Sequence, residues 1–567
     1  MRKRAPGQPT ETSRRGKAAT HSTDFLTCVA PATILGSLFE RPNTRSHQSS
    51  SILNYGQRHE AKRKTAKLRP ARRRKPLMRI HPLDLAIVIA YLLAVTALGM
   101  RFRRTKKKIA QSDRDSVSLD YFLGGRTAPW WALALSIVAT ETSTLTIIGT
   151  PAIAYSTNLT FIQLVIGYLI GRILIVLLLL PGYFRGQFLT AYALIEKRFG
   201  EKMRAVAAST FLITRAIAEG VRVSAIALVV SVVLGTSERL AIVIVIALTI
   251  LYTFEGGMTA VIWTDVAQLL LYLTGSAVTF GVLLHRIPGG WTEVTQVAAA
   301  AGHKLQLFDF TFDLATKYTF WSGLIGGAFL TMASHGTDQT IVQRLLAARN
   351  EKDSRRALLT SGVIVLIQFT VFLLIGVLLY VFAQHSPLLA PGERADRILP
   401  LFLLREMPTG LAGLLLASIV AVAMSNASGS LNSLAASSVL DFSRLRGHSA
   451  DPLKFLRLSR RMTLVWGLIL MAFGFVKWGP LLEAGLTVAS LPFGSLLGLF
   501  LLGTLDRRAN ATGAVIGMFA GLATVLCVWQ FTPIAYTWYV LIGSVTTFTV
   551  GVGARFIVPN DRPEVAT

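Results

Sequence analysis

The chain has 567 residues, 52% apolar and 16% charged, with a mean hydropathy of +0.52 and a formal net charge of +28. A soluble domain averages about 25% charged residues, so composition excludes a soluble enzyme, a collagen and a coiled coil. Two cysteines, Cys28 and Cys527, define neither a disulfide framework nor a metal site.

Residues 1–77 hold 18 Lys/Arg against 4 Asp/Glu, so about half of the net charge lies ahead of the first apolar run. Runs such as Arg72-Arg73-Arg74-Lys75 have no apolar helical face beside them. The stretch reads as a basic disordered tail or as sequence upstream of a natural start at Met78, and not as a nucleic-acid arm. No apolar segment with a cleavage site precedes the first span, so no signal peptide is expected.

Apolar runs of about 20 residues then recur, the length that crosses a ~30 Å hydrocarbon core. The reading is an all-α integral membrane protein with about 13 transmembrane helices. They are predicted over 82–100, 127–155, 159–181, 203–234, 237–254, 258–284, 317–335, 357–384, 409–440, 461–477, 481–503, 511–530 and 535–557. Segments 101–126, 182–204, 340–357 and 441–461 are rich in Lys and Arg. Alternating spans put all four on one side, which basic loops assign to the cytoplasm. The N-terminus is then outside and the C-terminus inside, in a cell membrane, with the bacterial inner membrane expected. A basic tail of residues 1–77 would lie on the wrong side, which supports the start at Met78. Gly167/Gly171, Gly323/Gly327, Gly494/Gly498 and Gly513/Gly517 have the small-xxx-small spacing of closely packed helices.

Ionisable groups inside spans are costly, about 2.5–3.5 kcal/mol each at mid-bilayer on insertion scales, so each asks for a reason. Glu141 falls mid-span within Ala139-Thr140-Glu141-Thr142-Ser143-Thr144, a poor stretch of continuous helix, with Gly149 and Pro151 close behind. A broken helix is tolerated at membrane depth where its freed carbonyls line a cavity or bind an ion. A continuous helix with hydroxyls bonded to their own carbonyls is the alternative. Arg215, Glu219 and Arg222 fall at i, i+4 and i+7 and share a helical face. Their surplus positive charge, and the planar fork of arginine, suit a carboxylate, while a structural ion network explains them equally. Arg172 equally suits neutralising Glu141. Asp265, in Trp263-Thr264-Asp265, opens its span and is read either as a solvated helix cap or as an ion-site group. Ser425-Asn426-Ala427-Ser428-Gly429-Ser430 concentrates side-chain oxygen, the ligand that hard cations prefer.

Several motifs in order carry a resemblance. They are Asp120-Tyr121-Phe122-Leu123-Gly124-Gly125-Arg126; Thr190-Ala191-Tyr192 with Glu196-Lys197-Arg198-Phe199-Gly200; Gly256-Gly257 with Ala260-Val261-Ile262-Trp263-Thr264-Asp265 and Gln268; and Gly336-Thr337-Asp338-Gln339 with Gln343-Arg344. Over roughly 80–557 the chain resembles the sodium:solute symporter family, which includes sodium/proline, sodium/glucose and sodium/multivitamin cotransporters. The resemblance implies a LeuT-like 5+5 inverted repeat, 127–284 and 316–503, with a broken first core helix. An extra helix and cytoplasmic loop (78–126) would precede it, and two helices with a short tail (504–567) would follow. It implies alternating access driven by Na⁺ as coupling ion, with no organic cofactor. The ion would be held by backbone carbonyls of Ala139, Thr142 and Val422 and side chains of Ser425 and Asn426, where the family usually has a second Ser or Thr at 426. A second sodium in some relatives would use Asp265, Ser425 and Ser428, with Gly429 replacing a further Ser. Glu141 stands where relatives often have Asn or Asp.

The expected function is therefore a symporter importing a small carboxylate-bearing solute: a monocarboxylate, a sugar acid or an amino acid. The solute is expected near Ser143, Thr146, Gln163 and the Arg215 face, within reach of Glu141, Glu219 and Arg222. A proton-coupled or neutral-sugar symporter is the alternative. A membrane enzyme lacks any HExxH, GxSxG, Walker or CxxC pattern, and a transporter-like sensor would need a longer tail. The lipid bilayer and the solute are the expected partners, with no nucleic acid. Oligomeric state is left open by the sequence, and a monomer suffices.

Overall fold

The computed structural model describes residues 81–101, 123–186, 188, 190–253, 258–443, 452–554 and 556. The tail 1–77 lies outside them, as do residues 102–122, 444–451 and those beyond 556, so the readings made there carry no structural account. Among the described residues the chain is helical, with no strand and one isolated bridge between Ala128 and Ala348.

The helices are α1 (Pro82–Arg101), α2 (Trp130–Glu141), α3 (Thr144–Ser156), α4 (Ile162–Leu178), α5 (Leu180–Arg185), α6 (Ala191–Phe199), α7 (Glu201–Leu234), α8 (Glu238–Thr253), α9 (Met258–Arg286) and α10 (Gly290–Ala300). After a π-turn at Ser322–Gly326 come α11 (Gly327–Gly336), α12 (Gln339–Leu346), α13 (Glu351–His385), α14 (Ile398–Glu406), α15 (Leu411–Ser443), α16 (Pro452–Gly474), α17 (Leu481–Leu505), α18 (Ala511–Phe531) and α19 (Tyr539–Ala554). Among the described residues, six helical stretches are long and apolar enough to cross a membrane, or seven when the bent pair α2–α3 counts as one span. In α1, α15 and α16 the apolar stretches are shorter: Pro82–Tyr91, Leu411–Val420 and Arg461–Gly474.

Lipid tails are as apolar as leucine, so packing in a bilayer depends on close backbone approach. The glycines provide it. A Cβ on Gly167 would lie 2.2 Å from the Gly323 carbonyl oxygen, and one on Gly327 would lie 2.4 Å from that of Leu164. The same holds where α17 and α18 meet α19: a Cβ on Gly494 would be 2.9 Å from Gly543 Cα, and one on Gly517 2.4 Å from the Thr547 carbonyl.

Among the described residues, the basic segments 182–204 and 340–357 lie at one end of the bundle, beside Thr127 at the start of the second predicted span. Arg349 donates to the Thr127 carbonyl (3.2 Å), Ala191 N donates to Gln339 Oε1 (2.7 Å), and Arg198 donates to the Asp506 carbonyl (2.9 Å). At the opposite end the 301–320 connection is laced to the helix tips. Lys304 donates to the Tyr155 carbonyl (2.6 Å) and lies 4.1 Å from the Tyr380 ring centre, and Lys317 pairs with Glu483 (2.6 Å). Burial pushes the Lys304 ammonium down to about 8.

Candidate cation and solute site

The run Thr140–Thr144 breaks its helix. Thr142 and Ser143 are extended (ψ 103° and 172°), and α2 and α3 bend by 63° across them. Hydroxyl side chains offer the backbone local partners outside a helix. Here Ser143 caps α3 in a reciprocal box with Thr146. The last helical bond of α2 runs from Thr142 N to the Val138 carbonyl (2.8 Å), while Ser143 N turns to Thr146 Oγ1 (3.4 Å). The Ala139 carbonyl thereby loses its helical donor.

Two distant helices come to this break. Asn426 of α15 donates from Nδ2 to the Thr142 carbonyl (3.2 Å), and Gln368 of α13 donates from Nε2 to Thr142 Oγ1 (2.7 Å). Gln368 Oε1 is buried without a hydrogen-bond partner and so adds a spare oxygen beside the break. Ala139 and Val422 are both buried. The side chains of Ser425 and Ser428 lie outside the described residues.

Behind the break, Arg172 of α4 is fully buried and ion-paired with Glu141. Its other nitrogens donate to the Tyr168 carbonyl (3.2 Å) and to Ser361 Oγ (3.3 Å). His335 Nε2 stands 3.3 Å from both Glu141 Oε2 and Arg172 Nη2, and its Nδ1 is 2.9 Å from Ser334 Oγ. The pairing with Glu141 that the sequence suggests for Arg172 is the one observed.

A second interruption follows α11, which ends at Gly336, one residue past the predicted limit of its span at 335. The basic segment beyond it reads as a loop but opens with a helix: Asp338 is extended, and its carboxylate caps α12 by accepting from Thr340 N (2.8 Å). That arrangement brings Asp338 to Arg215 Nη1 (3.4 Å). Arg215 also donates to Ser430 Oγ (2.8 Å), which donates to Glu219 Oε2 (2.8 Å); Arg222 pairs with the same oxygen (3.0 Å). The surplus positive charge inferred from Arg215, Glu219 and Arg222 is therefore corrected, because Asp338 supplies the missing carboxylate. Arg172, Arg215 and Arg222 are matched by Glu141, Glu219 and Asp338.

The reading of Asp265 as a solvated cap is also corrected. Its helix begins at Met258, and Asp265 is buried, accepting from Arg344 Nη2 (2.9 Å) and from Ser136 Oγ (2.6 Å). Gln163 stands apart from the other candidates. Its amide donates to the Tyr318 carbonyl (3.0 Å) and accepts from Asp309 N (3.1 Å), tying the 301–320 connection to α4.

Between these groups lies a cavity. Glu141, Ser143, Thr146, Arg215 and Arg222 line it, as do Ser334, His335 and Asp338, which the sequence reading did not single out as site groups. A face of α17 also lines it.

A family model described as "Sodium:solute symporter family" matches residues 121–521. The sodium/sialic acid symporter SiaT of Proteus mirabilis is 30% identical over 83% of this chain and 94% of its own. The human sodium/iodide cotransporter is 32% identical over 72% of this chain and 64% of its own, and the sodium-coupled monocarboxylate transporter 1 of Xenopus laevis is 30% identical over 72% and 67%. Among solved structures, a substrate-bound, outward-open Na⁺-coupled sialic acid symporter superposes with a TM-score of 0.75 at 29% identity, covering 84% of this chain and 98% of that one. These transporters match a chain whose broken helix opens onto an internal cavity, and on both grounds the chain belongs to the sodium:solute symporter family, as a sodium-coupled membrane transporter and not an enzyme.

Proposed function

We propose that the chain imports a small carboxylate-bearing solute together with Na⁺ by alternating access. The observation that carries this reading is the meeting of Thr142 with Asn426 across 3.2 Å, which joins the unwound segment to α15. The cradle consists of the carbonyls of Ala139, Thr142 and Val422 with Ser425 Oγ and Asn426 Oδ1, the Asn426 amide turning to present its oxygen. An ion shared by two elements that rock apart binds one state better than the other, which is what couples its gradient to transport. The moving parts are the repeats 127–284 and 316–503, within about thirteen spans. The basic segments 182–204 and 340–357 at one end support a cytoplasmic assignment of that end, and we place the C-terminus inside, with a bacterial inner membrane as host.

Charge balance supports an anionic solute. With three arginines against three carboxylates in and behind the cavity wall, one Na⁺ and one carboxylate enter as a neutral pair, avoiding an unpaired buried charge. Arg215 receives the carboxylate in exchange for its contacts with Asp338 and Ser430. Relatives named for sialic acid and monocarboxylates act on solutes of this chemistry.

The test is uptake into proteoliposomes. An inward Na⁺ gradient drives accumulation and a choline gradient does not, while Ser425→Ala and Asn426→Ala each raise the half-saturating Na⁺ concentration about tenfold, equivalent to ~1.4 kcal/mol. Equal uptake in choline overturns the reading.

A further inference from the structure

We infer that the solute is an amphipathic acid, a carboxylate on an alkyl or aryl body, and not a polyhydroxylated one; this rests on the symporter reading above and refines its solute. The cavity has two chemically different walls. Arg215, Arg222 and Asp338 mark the polar one. Facing the same space, α17 contributes Leu482, Leu486, Ala489, Pro492, Phe493 and Leu496. Their spacing of three and four residues makes one continuous helical face, and none of the six carries a side-chain donor or acceptor.

Three polar residues of α17 are engaged elsewhere. Glu483 accepts from Lys317 (2.6 Å) and Tyr318 (3.1 Å), and the hydroxyls of Ser490 and Ser495 bond back to the Thr487 and Pro492 carbonyls (2.8 and 2.9 Å). Phe161 and Phe369, which also line the cavity, stack at 5.7 Å and extend its apolar side. On the other wall, the hydroxyl protons of Thr140, Thr210 and Thr214 are already given to carbonyls of their own helices (2.7, 3.0 and 2.6 Å).

A solute with a hydroxyl on nearly every carbon would set several of them against α17, stripped of water and without partners. An alkyl or aryl body loses no hydrogen bond there and gains by leaving water, about fourfold in affinity for each buried methylene. The two walls thus divide one molecule between them, the charge to α7 and the body to α17.

The experiment is a chain-length series. Na⁺-driven uptake by the purified full chain in proteoliposomes is measured for propionate, butyrate, pentanoate and hexanoate, with phenylacetate, gluconate and sialic acid as competitors. The KM falls about fourfold per methylene, phenylacetate competes like hexanoate, and the two sugar acids compete at least about tenfold more weakly. A KM indifferent to chain length, or sialic acid or gluconate preferred to hexanoate, overturns the inference. The same acids are tested for thermal stabilisation of the purified protein, which needs no gradient. If uptake proves independent of Na⁺ but stabilisation still climbs from propionate to hexanoate, the coupling reading fails and this inference stands. If stabilisation is flat as well, both fall. Leu486→Gln flattens the chain-length dependence, and an unchanged slope in a folded variant removes α17 from the site. Should the variant not fold, the unsubstituted series still decides.

Discussion

Asp265 and Arg344 are both buried, and with Ser136 they tie α2, α9 and α12 together at one point. A buried ion pair adds little net stability, but removing one partner strands the other charge at a cost of about 3–5 kcal/mol. Asp265→Asn is therefore expected to lower the thermal unfolding temperature in detergent sharply, and the double substitution Asp265→Asn/Arg344→Met to recover much of the loss. If Asp265→Asn instead left stability unchanged and weakened Na⁺ binding, Asp265 would be an ion ligand and not a brace. The distinction matters because this carboxylate is the one on which a second sodium would depend, and here it already serves a guanidinium and a hydroxyl.

Two helices can cross as closely as α4 and the π-turn segment do only because neither has a side chain at the crossing. Gly167→Ala would put a Cβ 2.2 Å from one backbone oxygen and 2.8 Å from the next, Gly323 and Leu324. Backbone cannot swing aside as a flexible side chain can, so the helices must separate, at about 1–3 kcal/mol of stability. Gly281→Ala in α9 is the control, since its Cβ would meet nothing within 4 Å. There the better helix propensity of alanine gives a neutral or slightly stabilised protein, by up to about 1 kcal/mol. Unfolding midpoints of the two variants in the same detergent check both statements. The broken pairs work oppositely to these crossings: at Thr142–Ser143 and at Asp338 continuity is given up, and backbone or carboxylate oxygen faces the cavity in return.

Taken whole, the bundle closes around two interruptions whose partners come from far along the chain, α15 and α13 for the first and α7 for the second. An ion held between the first interruption and α15 stabilises the folded protein by mass action. At a Na⁺ concentration 100 times its dissociation constant the gain is about 2.7 kcal/mol. The unfolding midpoint is expected to rise with NaCl but not with choline chloride at equal ionic strength. Identical curves in the two salts would remove the ion from the fold. The neutral balance of arginines and carboxylates fits the same picture, since a bundle with surplus charge in its interior would bind one ligand strongly and release it slowly.

The membrane class, the helical segments and the first break were legible in the sequence because each depends on neighbours in the chain. Apolarity over a span is a local sum, and the hydroxyl run 140–144 competes with its own helix wherever it is placed. The pairings were not legible. Arg172 finds Glu141 and His335, 31 residues before it and 163 after it, and Arg215 finds Asp338, 123 residues further on, at the start of a helix in what reads as a basic loop. Asp265 read as a solvated cap because its partners, Ser136 and Arg344, lie 129 and 79 residues away in the chain. Likewise the span 481–503 was legible in the sequence, while the sharing of one cavity by its residues and the arginines of α7 was not. Which charges cancel and which wall a solute meets depend on the distance between helices, and that is set by packing, where the carbonyl of Gly323 meets the missing side chain of Gly167.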